Sequence, residues 1–303
     1  MRNFLTFFFC LFPLFANASQ SSAPEHAFAQ KILALESKSG GRLGVAVITA
    51  EGQHLYRQDE RFAMCSTFKA LLGAAVLARV DAKLETLDRP VTFNASDILE
   101  YAPIAKEQLP TGHMTIAELN AASIQYSDNT AANLLLQSIG GPASLTKFLR
   151  LIGDKTTRLD RNEPSLNSNI AGDPRDTSTP LAMAETWQKL LMQDYLSLAS
   201  KEQLKTWLFG NTTGDTRIKA GLDKSWLVGD KTGTCANGAN NDVAIVFPRQ
   251  AQPFIISVFY TGSTASSDQR NAVIAEVARI ASESVLKNTR EKPQQKLNGN
   301  LLR

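Results

Sequence analysis

The chain has 303 residues, 43% of them hydrophobic and 20% charged, with a formal net charge of +3. That length suits one large domain or two of ordinary size, and the composition is globular. There is no Lys/Arg block, and the longest charged cluster, TREKPQQK at 289–296, mixes signs. A nucleic-acid surface built from basic runs interleaved with aromatics is therefore excluded.

The N-terminus reads as an export signal over 1–18. Arg2 precedes an apolar run from Phe4 to Phe15, and Ala16-Asn17-Ala18 has the small-x-small form of a cleavage site. The run falls short of the roughly 20 residues a spanning helix needs. Too little of it precedes Cys10 for a lipoprotein start. Cleavage near Ala18 would leave a periplasmic or secreted chain with no membrane span, starting near Ser19. Cys10 departs with the signal, and Cys65 and Cys235 remain. In an oxidising compartment two cysteines can pair, if geometry brings them together.

Phe28, Ile32, Leu33 and Leu35 mark a helix between Glu25 and Lys38. GRLGVAVITA (41–50) and GQHLYRQD (52–59) read as strands joined at Glu51-Gly52. From Ser66 the pattern becomes helical, with helices expected at 66–80, 114–127, 128–139, 143–152 and 180–192. Strands return at 225–235, 241–248 and 253–262, the first two joined by an Asn237-Gly238 turn. A long helix follows at 266–286, then a polar tail expected to fray. The order predicts a five-stranded antiparallel sheet flanked by helices, with an inserted all-helical domain. The sheet domain would take 19–62 and 210–287, the helical domain 63–209, and the tail 288–303. A cleft between two such units is a common place for a catalytic site.

Histidine chemistry is scarce. His26, His54 and His113 are the only three, and none has an acidic or cysteine partner at metal-ligand spacing. There is no G-x-S-x-G elbow, and Lys231-Thr232 follows Asp230, not the glycine of a phosphate loop. The remaining way to activate a serine is lysine. Ser66-x-x-Lys69 places both on one helix face, where a desolvated lysine can accept the serine proton. Alone the pattern is weak: Ser144/Lys147 and Ser284/Lys287 match it too. Ser66 stands out because Ser127-Asp128-Asn129 and Lys231-Thr232-Gly233 follow it in order.

S-x-x-K, S-D-N and K-T-G are the joint signature of class A β-lactamases and penicillin-binding proteins, which this chain resembles. Residues 158–176, RLDRNEPSLNSNIAGDPRD, resemble the class A loop carrying E-x-x-L-N, here Glu163, Leu166 and Asn167. The resemblance runs from about residue 25 to 287. It implies an α/β domain with an all-α insertion, no cofactor, a small-molecule β-lactam as partner, and a monomer. By resemblance Ser66 is the acylated nucleophile and Lys69 helps deprotonate it. Ser127 and Lys231 serve the departing lactam nitrogen, and Asn129 binds the acylamino group. The backbone N–H groups of Ser66 and Thr234 form the oxyanion hole. Glu163 and Asn167 hold the deacylating water. Whether Lys69 or Glu163 is the acylation base stays open. Asn133 supports the loop, the Arg161–Asp176 ion pair closes its base, and the Glu163-Pro164 bond is cis.

Thr232, Gly233, Thr234 and Arg217 would bind the substrate carboxylate. Many members carry an arginine where this chain has Asn240; a subset supplies it from the position of Arg217. Tyr101 resembles the aromatic flanking the cleft. Cys65 and Cys235 resemble the cysteine pair of a subgroup that includes carbapenemases and extended-spectrum enzymes. The spectrum itself is not set by these residues. Rival functions are a penicillin-binding peptidase and a β-lactam sensor domain, which binds without turnover. Glu163 and Asn167 favour the hydrolase, since an acyl-enzyme needs a base beside a water.

Overall fold

The computed structural model describes residues 23–249 and 251–299. The expected export signal, 1–18, lies outside the described residues. α1 (Ala23–Ser39) precedes a hairpin of β1 (Arg42–Ile48) and β2 (Gln53–Tyr56). A short strand, β3 (Phe62–Ala63), leads into a 3-10 turn at Cys65–Thr67 and then α2 (Phe68–Asp81). The helix expected from Ser66 thus opens with a tighter turn. Next come β4 (Pro90–Thr92), α3 (Pro103–Glu107), β5 (His113–Thr115), α4 (Ile116–Gln125), α5 (Asn129–Ile139) and α6 (Pro142–Leu151). After a long loop come β6 (Thr177–Ser178), α7 (Pro180–Met192) and α8 (Leu198–Phe209). β7 (Leu227–Cys235), β8 (Ala239–Phe247), β9 (Phe254–Thr261) and α9 (Ser267–Gly299) complete the order. α9 continues past Lys287 to Gly299, over part of the tail expected to fray.

Local chemistry sets several boundaries. Thr115 and Glu118 form a capping box at α4: Glu118 N–H donates to Thr115 Oγ1 at 3.2 Å, and Thr115 N–H to Glu118 Oε2 at 2.7 Å. α5 ends at Gly140, whose φ of +96° belongs to the left-handed region that favours glycine.

The main sheet has the order β2-β1-β9-β8-β7, and every neighbouring pair is antiparallel. This is the five-stranded sheet expected from the sequence. β7 and β8 turn at Asn237-Gly238, where Cys235 pairs with Ala239. Two short ladders, β3–β6 and β4–β5, were not anticipated. At two or three residues each they show no alternation.

The central strands bury both faces, and alternate residues join different cores. Ala46, Ile48, Val243, Ile245, Ile255 and Phe259 pack toward the helical region around α2, α4 and α7. Val45, Val47, Ala244, Val246, Ile256 and Val258 pack on the other face, with Phe28 and Ile32 of α1 and Ile274, Val277 and Ala281 of α9. The alternation therefore decides which side chains of edge strand β7 face the helical region. Lys231 pairs with Val243, on that side, and Asp230 with Ala244, on the opposite one.

Candidate active site

Ser66 lies in the 3-10 turn at the head of α2 and is 9% exposed. The turn is pressed against β7. A Cβ on Gly233 would stand 2.7 Å from Met64 O and 3.1 Å from Cys65 Cβ, so only glycine fits. Asn241 on β8 donates from Nδ2 to Ala63 O at 2.9 Å and Met64 O at 3.1 Å. Cys65 and Cys235 are joined by a disulfide, with Cα atoms 5.6 Å apart. The residue beside Ser66 is thereby tied to the end of the KTG strand.

At the second position of α2, one turn after Ser66, the Lys69 side chain is fully buried. Its Nζ meets Asn129 Oδ1 at 2.6 Å, Ser127 O at 2.7 Å, Glu163 Oε1 at 3.1 Å and Ser127 Oγ at 3.4 Å. Burial pushes this amine below the usual lysine range, and Glu163 and Asp128 pull against that shift. Lys231, also fully buried, approaches the same serine from β7. Its Nζ is 3.2 Å from Ser127 Oγ and 2.9 Å from Thr232 O. Burial holds it well below the ordinary range, and the positive charge of Lys69 adds to the effect.

The SDN triplet divides its labour. Asp128 caps α5: Oδ1 accepts from Ala131 N–H at 2.9 Å, and Oδ2 accepts from Ile104 N–H at 3.0 Å and Ala105 N–H at 2.9 Å. With the cap made by the middle residue, Ser127 and Asn129 are left for the cleft. Ser127 takes φ +59°, a region uncommon for a non-glycine residue, as it turns toward the lysines.

The loop between α6 and β6 brings Glu163 against Lys69. Asn133 on α5 holds the Glu163 backbone from both sides, Nδ2 to Glu163 O at 2.9 Å and Glu163 N–H to Oδ1 at 3.0 Å. Asn167 Nδ2 donates a short hydrogen bond to Glu163 Oε2. The Glu163-Pro164 bond is cis. At the base of the loop, Arg161 Nε lies 2.6 Å from Asp176 Oδ2, while Asp176 Oδ1 accepts from Asp160 N–H and Arg161 N–H at 2.7 and 2.9 Å. Asn169 Nδ2 pins the far side to Ala236 O at 2.9 Å and Thr261 Oγ1 at 2.8 Å.

A cavity of about 390 Å³ opens over these groups, lined among others by Ser66, Tyr101, Ser127, Asn129 and Thr234. Arg217 forms part of its wall, with Nη2 donating to Thr234 Oγ1 at 2.7 Å and Nη1 to Gly233 O at 2.9 Å. Asn271 on α9 was not foreseen. Its Oδ1 accepts from Arg217 Nε at 2.9 Å and from Asn240 Nδ2 at 2.8 Å. Thr213, four residues before Arg217 in the stretch NTTGDTRIK, also lines the cavity and was not singled out. A larger hollow of about 570 Å³ on the other side of the loop holds none of the S-x-x-K, S-D-N or K-T-G residues. The two other S-x-x-K matches lie elsewhere: the Ser144 hydroxyl donates to Gly140 O and that of Ser284 to Ile280 O.

A serine, two buried lysines and a glutamate meeting between the helical region and the sheet edge are the grouping that a serine amidohydrolase without histidine requires. The sequence model of the Beta-lactamase enzyme family matches residues 27–285. The chain is 48% identical to β-lactamase OXY-2 of Klebsiella oxytoca over 90% of its own length and 94% of the relative's. It is 49% identical to CTX-M-8 of Citrobacter amalonaticus, over 86% and 92%. The solved structure of an ancestral class A β-lactamase superposes with a TM-score of 0.84 at 54% identity, covering 85% of this chain and 99% of that one. The chain belongs to the β-lactamase enzyme family, as a class A member.

Proposed function

We propose that the β-lactam amide is opened by Ser66 and released by water activated at Glu163. The observation that carries this assignment is the contact of Glu163 Oε1 with Lys69 Nζ at 3.1 Å, with Asn167 on the other carboxylate oxygen. Ser66 Oγ attacks the lactam carbonyl, and its proton passes to the Lys69–Glu163 pair. The backbone N–H groups of Ser66 and Thr234 receive the developing oxyanion; losing one such donor costs roughly 3–4 kcal/mol of barrier stabilisation. The C–N bond breaks as Ser127, flanked by both lysines, hands its proton to the nitrogen and is reprotonated with the proton that the Lys69–Glu163 pair took from Ser66. Water held between Glu163 and Asn167 then gives a proton to the carboxylate and attacks the acyl ester, and that proton passes through Lys69 to the departing Ser66 oxygen.

Asn129 binds the acylamino group, Tyr101 flanks it, and Thr232, Thr234 and Arg217 face the substrate carboxylate. A penicillin-binding peptidase would stop at the long-lived acyl-enzyme; the Glu163–Asn167 pair favours turnover. The working form is a monomer exported to the periplasm or beyond. Among the described residues, no helix is long and apolar enough to cross a membrane. The likeness of the Cys65–Cys235 pair to a subgroup that contains enzymes acting on oxyimino-cephalosporins and carbapenems makes those two classes the substrates to test beside a penicillin. Comparing kcat/KM for a penicillin, an oxyimino-cephalosporin and a carbapenem measures the range of substrates.

Glu163→Ala is expected to accumulate a penicilloyl adduct on Ser66, seen as a mass increase of the intact protein. Turnover by that variant at the parent rate would remove Glu163 from deacylation.

A further inference from the structure

Thr213 Oγ1 lies 2.5 Å from Thr232 Oγ1 on the wall of the cleft. Which hydroxyl donates is decided further back. Asn211 Nδ2 donates to Asp230 Oδ2 at 2.5 Å. Asn211 Oδ1 accepts from Thr213 N–H at 3.2 Å and from the Thr213 hydroxyl at 2.9 Å. Turning the amide over would set its NH2 against the Thr213 N–H, and its oxygen against a carboxylate. Its orientation is therefore held from both ends. An amide oxygen only accepts, so the single Thr213 proton is committed to Asn211. The Thr232 hydroxyl must then donate to Thr213, and only its lone pairs remain for the cleft. The chain is well anchored: Lys219 Nζ is 3.0 Å from Asp230 Oδ1, and a Cβ on Gly214 would stand 1.9 Å from Asp230 Oδ2. In this state a substrate carboxylate arriving at Thr232 meets an acceptor.

We propose that Thr213 is a positioning residue for carboxylate recognition, whose hydroxyl reverses its hydrogen bond when the substrate anion arrives. This role rests on Thr232, Thr234 and Arg217 being the carboxylate subsite proposed above. Two O–H rotations suffice. Thr213 turns from Asn211 to donate to Thr232 Oγ1, and Thr232 turns its own proton out to the carboxylate. Asn211 Oδ1 keeps the Thr213 N–H, so no buried acceptor is orphaned. After reversal the donors run in one direction, Thr213 to Thr232 to anion, and each polarises the next. A neutral ester is a poorer acceptor and gains less from the reversal.

The test compares a chromogenic cephalosporin bearing the free C4 carboxylate with its methyl ester. Thr213→Ala, Thr213→Ser and Arg217→Gln are measured beside the parent enzyme. Thr213→Ala is expected to lower kcat/KM for the acid about tenfold, through KM, and to leave the ester unchanged. Thr213→Ser, which keeps the donor, restores the parent ratio. If Thr213→Ala leaves the acid-to-ester ratio unaltered, or lowers both substrates equally, while Arg217→Gln collapses it, Thr213 has no such role and the subsite stands. If neither variant alters the ratio, the carboxylate subsite is wrong and the role of Thr213 falls with it.

Discussion

Two lysines converging on the Ser127 hydroxyl set the electrostatics of the cleft. Both are fully buried and both are shifted downward, Lys231 the further. The sign of the stability effect follows from linkage. Between a lowered folded pKa and the unfolded value of about 10.4, the unfolded chain binds more protons, so stability rises with pH. The penalty of burying Lys231 is thus full below its folded pKa and vanishes near the unfolded one. Lys231→Met should therefore raise the melting temperature at pH 7 while lowering kcat/KM by roughly 100-fold or more. The gain should shrink as the melt is repeated toward pH 10. A melting temperature that fell at pH 7 would show that the contacts to Ser127 and Thr232 outweigh burial. Ser66→Ala should abolish hydrolysis, because the neighbouring Cys65 is held in the disulfide.

At the scale of elements, the loop from α6 to β6 positions Glu163 through contacts with helix α5 and the sheet edge. Asn133→Leu keeps the volume but orphans the Glu163 N–H and C=O. Each orphaned group costs about 1–3 kcal/mol. Pre-steady-state kinetics should show deacylation slowed tenfold or more and acylation slowed less, since on the proposed mechanism deacylation depends on water placed by Glu163 whereas acylation can also use Lys69. Equal slowing of both steps would mean that the loop positions Glu163 for acylation as well. Much of this element was legible in the sequence. Glu163, Asn167, Asn133 and the Arg161–Asp176 pair sit in local patterns whose spacing matches the family. Thr213 and Asn271 were not legible. Each meets its partner across a long sequence separation, Thr213 to Thr232 and Asn271 to Arg217, and neither lies in a motif. The tight turn at Cys65–Thr67 was hidden too, because a 3-10 turn and the start of an α-helix share the same apolar spacing. Its cause is tertiary: β7 and Asn241 hold the chain at Met64.

For the whole molecule, the disulfide joins the turn before α2 to the end of β7 across a sequence separation of 170 residues. In the chain-entropy account such a closure stabilises by at most about 5 kcal/mol. Cys65→Ala should lower the melting temperature by several degrees and retain measurable hydrolysis, as Gly233 and Asn241 still seat the Cys65–Thr67 turn. Loss of all activity with an unchanged melting temperature would reverse that assignment. The sheet order carries a separate consequence, for assembly. β1 lies between β2 and β9, pairing Arg42 with Thr261, so the first and last strands to be made are neighbours. A chain emerging from the ribosome or a translocation channel cannot complete the sheet until β9 has appeared. The helices of the middle segment can pack on one another earlier, but Ser127 cannot meet Lys231 before the C-terminal hairpin arrives. The cleft that Ser66 and Ser127 line is therefore completed last, after nearly the whole chain has been made.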